Sequence, residues 1–468
     1  MDEVFDSESF RKNGHQLVDM LAEALTANLT RKNPKAIDFV PPDDSYRWWS
    51  EQQFEHPIDF FKAVMERSIR LQHPRYIGHQ VSTPAPLATL AGFEGLMLNS
   101  GGAIYEMSAA SSTLEKLVID LLKGYFGFHE GDGIFTSGGT LANLTALICA
   151  RNIMAKEQVW QEGQHERYAF LVSEEAHYCI DRAVRIMGWG DAGIIKVPVD
   201  HNFRMRTELL SFYCEEAQKN GIHVLGVVGS APTTSTGIYD DLESIGSFCR
   251  LHNLWFHIDA AHGGPAVFSD KYRHLMAGCE LADSITVDAH KMMMVPSLTT
   301  MLFFRNSSDS YRTFAQKAQY LWVDSDAEWY NYGKRTMECT KIMLSTRLYV
   351  LMQTYGMGLF GEHLDRCYDM GKIFADMIEK DPDFELAVRP DSNIVCFRIR
   401  HEDTDIANQI NRSIRQALLE DGTFYIVQTM LGEASWLRVS IMNSFTSVED
   451  MELLMQKIRA FYKNISGL

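Results

Sequence analysis

Four places in the sequence put reactive or ligand-binding residues at the ends of apolar, β-rich runs. Lys291 follows His290 after "DSITVDA", with three methionines behind it. Apolar surroundings disfavour the charged form of a lysine, so part of it is free, nucleophilic amine. Asp259 closes "LWFHID", 32 residues earlier (291 − 259 = 32). With a period of two, His257 and Asp259 face the same side of that strand. A carboxylate so placed needs a cation or hydrogen bonds. His177 begins a helical stretch after "FLVSEEA", where an imidazole caps a helix or stacks on a flat ring. Finally, Ser137-Gly138-Gly139-Thr140 stands between a strand and a helix, with Thr140 as the expected N-cap. Glycines let the backbone approach a ligand, and a helix N-terminus suits a phosphate. The turn is neither a P-loop nor GxGxxG, so ATP and NAD are not suggested.

Each feature alone has an ordinary explanation: a surface lysine, a satisfied carboxylate, a capping histidine, a plain turn. Together they form the set that pyridoxal 5′-phosphate (PLP) requires. That set is an anion site, a flat-ring partner, an acid for the ring nitrogen and an amine for the aldehyde. A rival reading is a metal-dependent hydrolase using His257, Asp259 and His262. It leaves Lys291 and the glycine turn without a role, and no metal is expected.

The elements that must carry these residues are legible as alternation. Apolar runs at 133–137, 168–173, 193–199, 224–230, 254–260, 283–289 and 299–305 read as strands. Helical stretches such as 140–155 and 242–252 lie between them. Continuous apolar strands alternating with helices imply a mainly parallel sheet covered on both faces. In such a sheet, ligands sit at the carboxyl ends of the strands. The expected organisation is an N-terminal helical arm over 1–85, a large α/β domain over 86–340 and a small α+β domain over 341–468. The arm opens with a helix capped by Asp6 or Ser7, with Phe10, Leu17, Val18, Leu21 and Leu25 at helical spacing. It is too small to fold alone and is expected to pack on a neighbouring subunit.

The chain has 468 residues and a net charge of −17, which opposes a nucleic-acid partner. No apolar run is long enough to span a bilayer. The polar, acidic "MDEVFDSESFRKNG" does not read as a targeting peptide, so a cytoplasmic location is expected. The eight cysteines form no CxxC pair and read as free thiols.

Seven segments carry a resemblance: "HPRYIGH", "TSGGTLANLTALICAR", "SEEAHYCIDRAVRIMG", "APTTSTGIYDDLESIG", "FHIDAAHGG", "ADSITVDAHK" and "WLRVSIMN". In this order, and over nearly the whole chain, the sequence resembles the group II PLP-dependent amino-acid decarboxylases. The resemblance implies fold type I, the aspartate-aminotransferase-like fold, a homodimer with shared sites and an amino-acid substrate. It implies that Lys291 binds the cofactor aldehyde, Asp259 pairs with the ring nitrogen and His177 stacks on the ring. Ala261 would pack the other ring face. Gly139, Thr140 and His290 would hold the phosphate, with Thr234 or Ser235 near the ring substituents and Arg438 near the active site. Tyr330 and Tyr332 are candidates for a proton-donating tyrosine on a lid over 323–334.

Two departures stand out. Aromatic-specific members tend to have Asn-Pro before the His-Lys pair and Trp after it. Here Asp288-Ala289 and Met292 occupy those places, and the 320–341 segment is shorter than in members with a long mobile loop. "HPRYIGH" is most like the branch acting on diaminobutyrate and related substrates. The expected reaction is α-decarboxylation to an amine and CO2. A decarboxylation-coupled oxidative deaminase is the alternative within PLP chemistry; a transaminase and a PLP-binding protein without activity rank below it.

Overall fold

The structure, a computed structural model, describes residues 1–314 and 328–466. The chain divides into two compact units. One comprises 84–369 and 388–392; the other comprises 1–83, 370–387 and 393–468. This differs from the expected boundaries. Residues 341–369 fold with the large unit, and the arm belongs with the C-terminal segment. The boundary falls inside the Gly358–Lys380 helix, where an unbroken apolar spacing gives the sequence no sign of a change.

The large unit holds seven strands: β1 (Asp132–Thr136), β2 (Arg167–Ser173), β3 (Ile194–Val197), β4 (Ile222–Ser230), β5 (Trp255–Asp259), β6 (Ser284–Asp288) and β7 (Thr300–Phe304). Their order in the sheet is β1-β7-β6-β5-β4-β2-β3. Pairing is parallel from β6 through β5, β4 and β2 to β3, and antiparallel where β7 meets β6 and β1. Because β7 alone is reversed, β1, β2, β4, β5 and β6 all end at the same edge. β1, β6 and β7 are buried along their whole length, as strands covered on both faces must be, whereas β3 at the sheet's edge is only partly buried. Ile134, Leu147, Phe170, Val184, Val228 and Leu302 belong to one core between the sheet and its helices.

The smaller unit has a second sheet, β8 (Phe384–Leu386), β9 (Ile394–Ile399), β10 (Val427–Leu431) and β11 (Ala434–Ser440), in the order β10-β11-β9-β8, all antiparallel. The Thr404–Asp421 and Val448–Ser466 helices share its core with Phe397, Ile414, Leu437 and Leu454. The arm closes onto the same unit. Ile77 donates to Tyr425 and accepts from Ser440. Tyr76 stacks on Tyr425 at 5.4 Å, and Arg31 and Arg75 both grip the buried Asp450, at 2.5 and 2.9 Å. The opening helix, Ser7–Leu29, is capped by Asp6 through Ser9 N–H at 3.0 Å.

Candidate active site

Five strand ends converge on a cavity of about 340 Å³ in the large unit, inside the range of about 300–1,000 Å³ usual for small-molecule sites. After β1, Gly138 takes φ +111°, a conformation open to glycine. The following helix, Gly139–Met154, therefore starts one residue before the expected Thr140 cap, with Gly138 itself at the N-cap. Its free N–H groups face the cavity lined by Ser137, Gly138, Gly139 and Thr140. A Cβ built on Gly139 would stand 3.0 Å from Asp288 Oδ2, so no larger residue fits this cradle unchanged.

After β2, His177 is the N-cap of the Tyr178–Ile186 helix. Its Nδ1 accepts from Cys179 N–H at 3.3 Å, which leaves the proton on Nε2. Burial pulls His177 below the ordinary imidazole value; Asp259 opposes this and Lys291 adds to it. Cys179 also lines the cavity, its thiol pushed up to about 12 chiefly by burial and then by Asp259.

At the end of β5, Asp259 accepts from Asn143 Nδ2 at 2.9 Å and from Ala261 N–H at 3.2 Å. His257 does share its face, but both ring nitrogens are already engaged. Nε2 meets Asn143 Oδ1 at 3.0 Å and Nδ1 meets Ser284 Oγ at 2.8 Å. No metal-binding cluster of His, Cys, Asp or Glu occurs among the described residues. The hydrolase reading on His257, Asp259 and His262 therefore fails at its first ligand, although His262 does line the cavity.

After β6, Lys291 Nζ lies 3.1 Å from Asp288 Oδ2, and His290 Nε2 lies 3.6 Å from the same oxygen. Thr300 donates to the other oxygen of Asp288. After β4, Thr234 lines the cavity with Pro232 and Thr233, whereas Ser235 donates to Glu175. Of the two residues left open by the sequence, Thr234 is the one on the cavity wall.

The structure thus brings together Lys291, Asp259, His177, Ala261, Gly139, Thr140, His290 and Thr234. It does not bring Tyr330 or Tyr332 to this wall. Tyr330 is half-buried and packs edge-on to Tyr105 at 5.3 Å. Tyr332 is buried in the core, between Lys341 at 4.5 Å and Arg335 at 5.6 Å. The first five residues of the expected lid, 323–327, lie outside the described residues. Arg438 belongs to the smaller unit, on β11, with Gln80 Oε1 at 3.4 Å. Sequence reasoning missed Asn143 and passed over Asp288 as a mere departure. A polar residue inside the apolar "TLANLTAL" helix was the available signal for the first. For the second it was a carboxylate closing a strand, the same pattern as Asp259.

These groups fit pyridoxal phosphate. The helix N-terminus with its glycines suits the phosphate, and Lys291 suits the aldehyde. Asp259 keeps lone pairs beyond its two bonds for a protonated ring nitrogen.

Comparison with known proteins agrees. Residues 63–400 match the pyridoxal-dependent decarboxylase conserved domain. L-aspartate decarboxylase dtxS4 of Metarhizium robertsii is 31% identical over 345 residues, 73% of this chain and 69% of that protein. L-2,4-diaminobutyrate decarboxylase of Acinetobacter baumannii is 27% identical over 444 residues, 91% of this chain and 86% of that protein. The apo crystal structure of mouse CSAD superposes with a TM-score of 0.91 at 22% identity, covering 97% of this chain and 99% of that one.

Proposed function

Given that the chain belongs to the pyridoxal-dependent decarboxylase family and is a PLP-dependent carboxy-lyase of amino acids, we propose that its substrate is 2,4-diaminobutyrate or a related short-chain L-amino acid. The product would be the corresponding amine. "HPRYIGH" at 73–79 supports this choice, as do the relatives named for aspartate and diaminobutyrate. The observation that carries the reaction is the meeting of Lys291, Asp259, His177 and the glycine cradle around one cavity.

When bound, the cofactor draws electrons from the bond that releases CO2. Lys291 would hold the cofactor's aldehyde through its amine. Asp259 keeps the ring nitrogen protonated through its negative charge. His177, held below its ordinary value, would offer a neutral ring for stacking, with Ala261 on the same cavity wall. Gly139, Thr140 and His290 hold the phosphate, and Thr234 sits beside the ring substituents. Tyr330, which lies off this wall and would have to come from a second copy of the chain, would return a proton to the substrate's α-carbon; Tyr332, buried in the core, is the weaker candidate.

We also propose a cytoplasmic homodimer. The Pro86–Leu98 helix buries Ala88, Ala91, Gly92 and Gly95, yet leaves Leu90, Phe93, Leu96, Met97 and Leu98 exposed. A helix apolar on both faces calls for a second covering surface. Tyr330 stands beside Tyr105, itself exposed, so a second copy on this side would bring the tyrosine toward a neighbouring site.

The deciding experiment measures CO2 release with PLP from aspartate, glutamate, 2,4-diaminobutyrate, lysine and the aromatic amino acids. Diaminobutyrate or aspartate should give the highest kcat/KM. An aromatic substrate at the top would overturn the substrate choice and leave the reaction class standing.

A further inference from the structure

Behind Asp259 runs a chain of buried polar side chains that the reaction as described does not use. Trp255 Nε1 donates to Ser284 Oγ at 3.0 Å. Ser284 Oγ lies 2.8 Å from His257 Nδ1, and His257 Nε2 lies 3.0 Å from Asn143 Oδ1. Asn143 Nδ2 then donates to Asp259 Oδ2 at 2.9 Å, and it also meets Cys179 Sγ at 3.2 Å. Trp255, Ser284, His257 and Asn143 are all at most 3% exposed. Every one of these groups must therefore find its partner inside the protein.

The chemistry of the two ends fixes the direction of the whole chain. An indole N–H only donates, and an ionised carboxylate only accepts. Working back from the carboxylate, Asn143 must present its NH2 to Asp259, so its carbonyl faces His257. Nε2 of His257 must then carry the proton and Nδ1 must hold the lone pair. Ser284 fills that lone pair with its hydroxyl proton while it accepts from Trp255. Each link works only in this sense. Reversing the links at Asn143 or Trp255 would set a carbonyl against the carboxylate or a donor against a donor, and reversing the Ser284 link would require a charged His257 ring.

We propose that Trp255, Ser284, His257 and Asn143 form a one-way hydrogen-bond relay ending on Asp259, which keeps that carboxylate ionised and aimed into the cavity. The proposal rests on the PLP reading for its purpose but not for its geometry. All four are positioning residues. Of the four only Asn143 lines the cavity, beside Asp259. The relay carries no net charge of its own. Burial lowers His257 to about 4, so the imidazole stays neutral across the working range and cannot compete with the cofactor for Asp259. A protonated His257 would instead place a second cation behind the carboxylate and weaken its hold on the ring nitrogen.

Two measurements test this. The first uses the cofactor-free protein, with 15N-labelled histidine followed by two-bond proton–nitrogen NMR. The His257 signals are assigned by their loss in His257→Asn. The expected result is a neutral ring with the proton on Nε2 from pH 8 down to 5.5. A proton on Nδ1, or a charged ring at pH 6, overturns the relay whatever the enzyme's activity. The second uses holoenzyme of Asn143→Leu, nearly the same size. Losing a hydrogen bond to a charged group should move the acid limb of the kcat–pH profile upward by roughly one to two pH units, with KM changed far less than kcat. An unmoved acid limb with wild-type kcat overturns the relay. If that variant does not fold, Ser284→Ala serves in its place. Its His257 Nδ1 resonance must shift toward that of a lone pair without a donor, and an unchanged resonance counts against the relay. Failure of the substrate reading would appear separately, as no CO2 release by wild-type protein with a correct His257 tautomer.

Discussion

The pair Glu115–Lys341 offers a test in which the usual rule for buried ions should fail. Both side chains are 3% exposed, and Nζ lies 2.5 Å from Oε1. The same Glu115 oxygen accepts Phe135 N–H at 2.9 Å, and Lys341 donates to Phe135 C=O at 2.9 Å. Phe135 belongs to β1, the edge strand that leads into the glycine cradle. The pair thus occupies both outward backbone groups of an edge, which would otherwise be open to strand addition. Glu115→Gln keeps the shape but strands the ammonium, a loss of about 3–5 kcal/mol for breaking a buried pair. Lys341→Met strands the carboxylate and also the Phe135 carbonyl, adding about 1–3 kcal/mol. Replacing both with methionine removes the charges, which for an ordinary buried pair is neutral or stabilising. Here it leaves the Phe135 N–H and C=O without partners, at about 1–3 kcal/mol each. The expected order of stability is wild type, then the double variant and Glu115→Gln close together, then Lys341→Met. Thermal unfolding reads this at about 2–4 °C per kcal/mol for a unit of this size class. Burial already pulls the Lys341 amine below its ordinary value, so the folded state binds its proton less well than the unfolded chain. The deficit of Glu115→Gln should accordingly shrink as pH rises. A double variant as stable as wild type would refute the reasoning, because the pair would then be an ordinary ion pair.

Four further outcomes are expected. Lys291→Ala should bind PLP yet retain none after borohydride reduction, and its decarboxylation should fall to background; a cofactor still fixed to the variant would remove Lys291 from its role. Phe93→Glu, on the exposed face of the Pro86–Leu98 helix, should sediment as a monomer with much reduced activity, and an unchanged active dimer would count against that surface. Tyr330→Phe, compared with Tyr332→Phe, should slow amine formation while CO2 release persists, as product analysis would show; wild-type amine yields from both would move the proton source elsewhere. His363 is buried and lowered to about 4 by burial first and Arg366 second, so the unfolded chain takes its proton earlier as pH falls. Its contribution is intact above about 6.5 and is lost toward pH 4, about 3 kcal/mol in the limit. His363→Gln should therefore lose less stability than wild type between pH 7 and 4 in thermal unfolding, and parallel curves would contradict the assignment.

The sheet was legible because burial on both faces writes each strand as an uninterrupted apolar run. The runs at 133–137, 168–173, 224–230, 254–260 and 283–289 all became strands, ending at Thr136, Ser173, Ser230, Asp259 and Asp288. The reversal of β7 was not legible, since an apolar run carries no sign of its direction. The placement of the arm was missed for a related reason. Its ties to the smaller unit are backbone bonds through Ile77 and ion pairs to Asp450, 375 residues from Arg75, and neither leaves a local pattern. The helix cap was misjudged by two residues because Gly138, not Thr140, takes the N-cap without any side-chain oxygen, a choice that only its positive φ reveals.

In the site, the residues expected to hold a ligand were legible because each closes or follows a strand, while those that contact other residues were not. Asn143 sits within an apolar helix and shows its use only once β5 lies beside it. The two carboxylates at neighbouring strand ends make the same point. Asp259 and Asp288 have equal standing in the sequence, each closing an apolar strand. Their partners divide them. Asp288 already has Lys291 at 3.1 Å, His290 at 3.6 Å and the Thr300 hydroxyl. Among the described residues, the donors recorded on Asp259 are neutral, an amide and a backbone N–H. Neutral donors hold a carboxylate in its ionised form without cancelling its charge. Asp259 is therefore the one with charge left to spend on a cation entering the cavity, and Asp288 the one that steadies the lysine. Exchanging the two sets of partners would exchange the two roles, although the residues themselves would be unchanged.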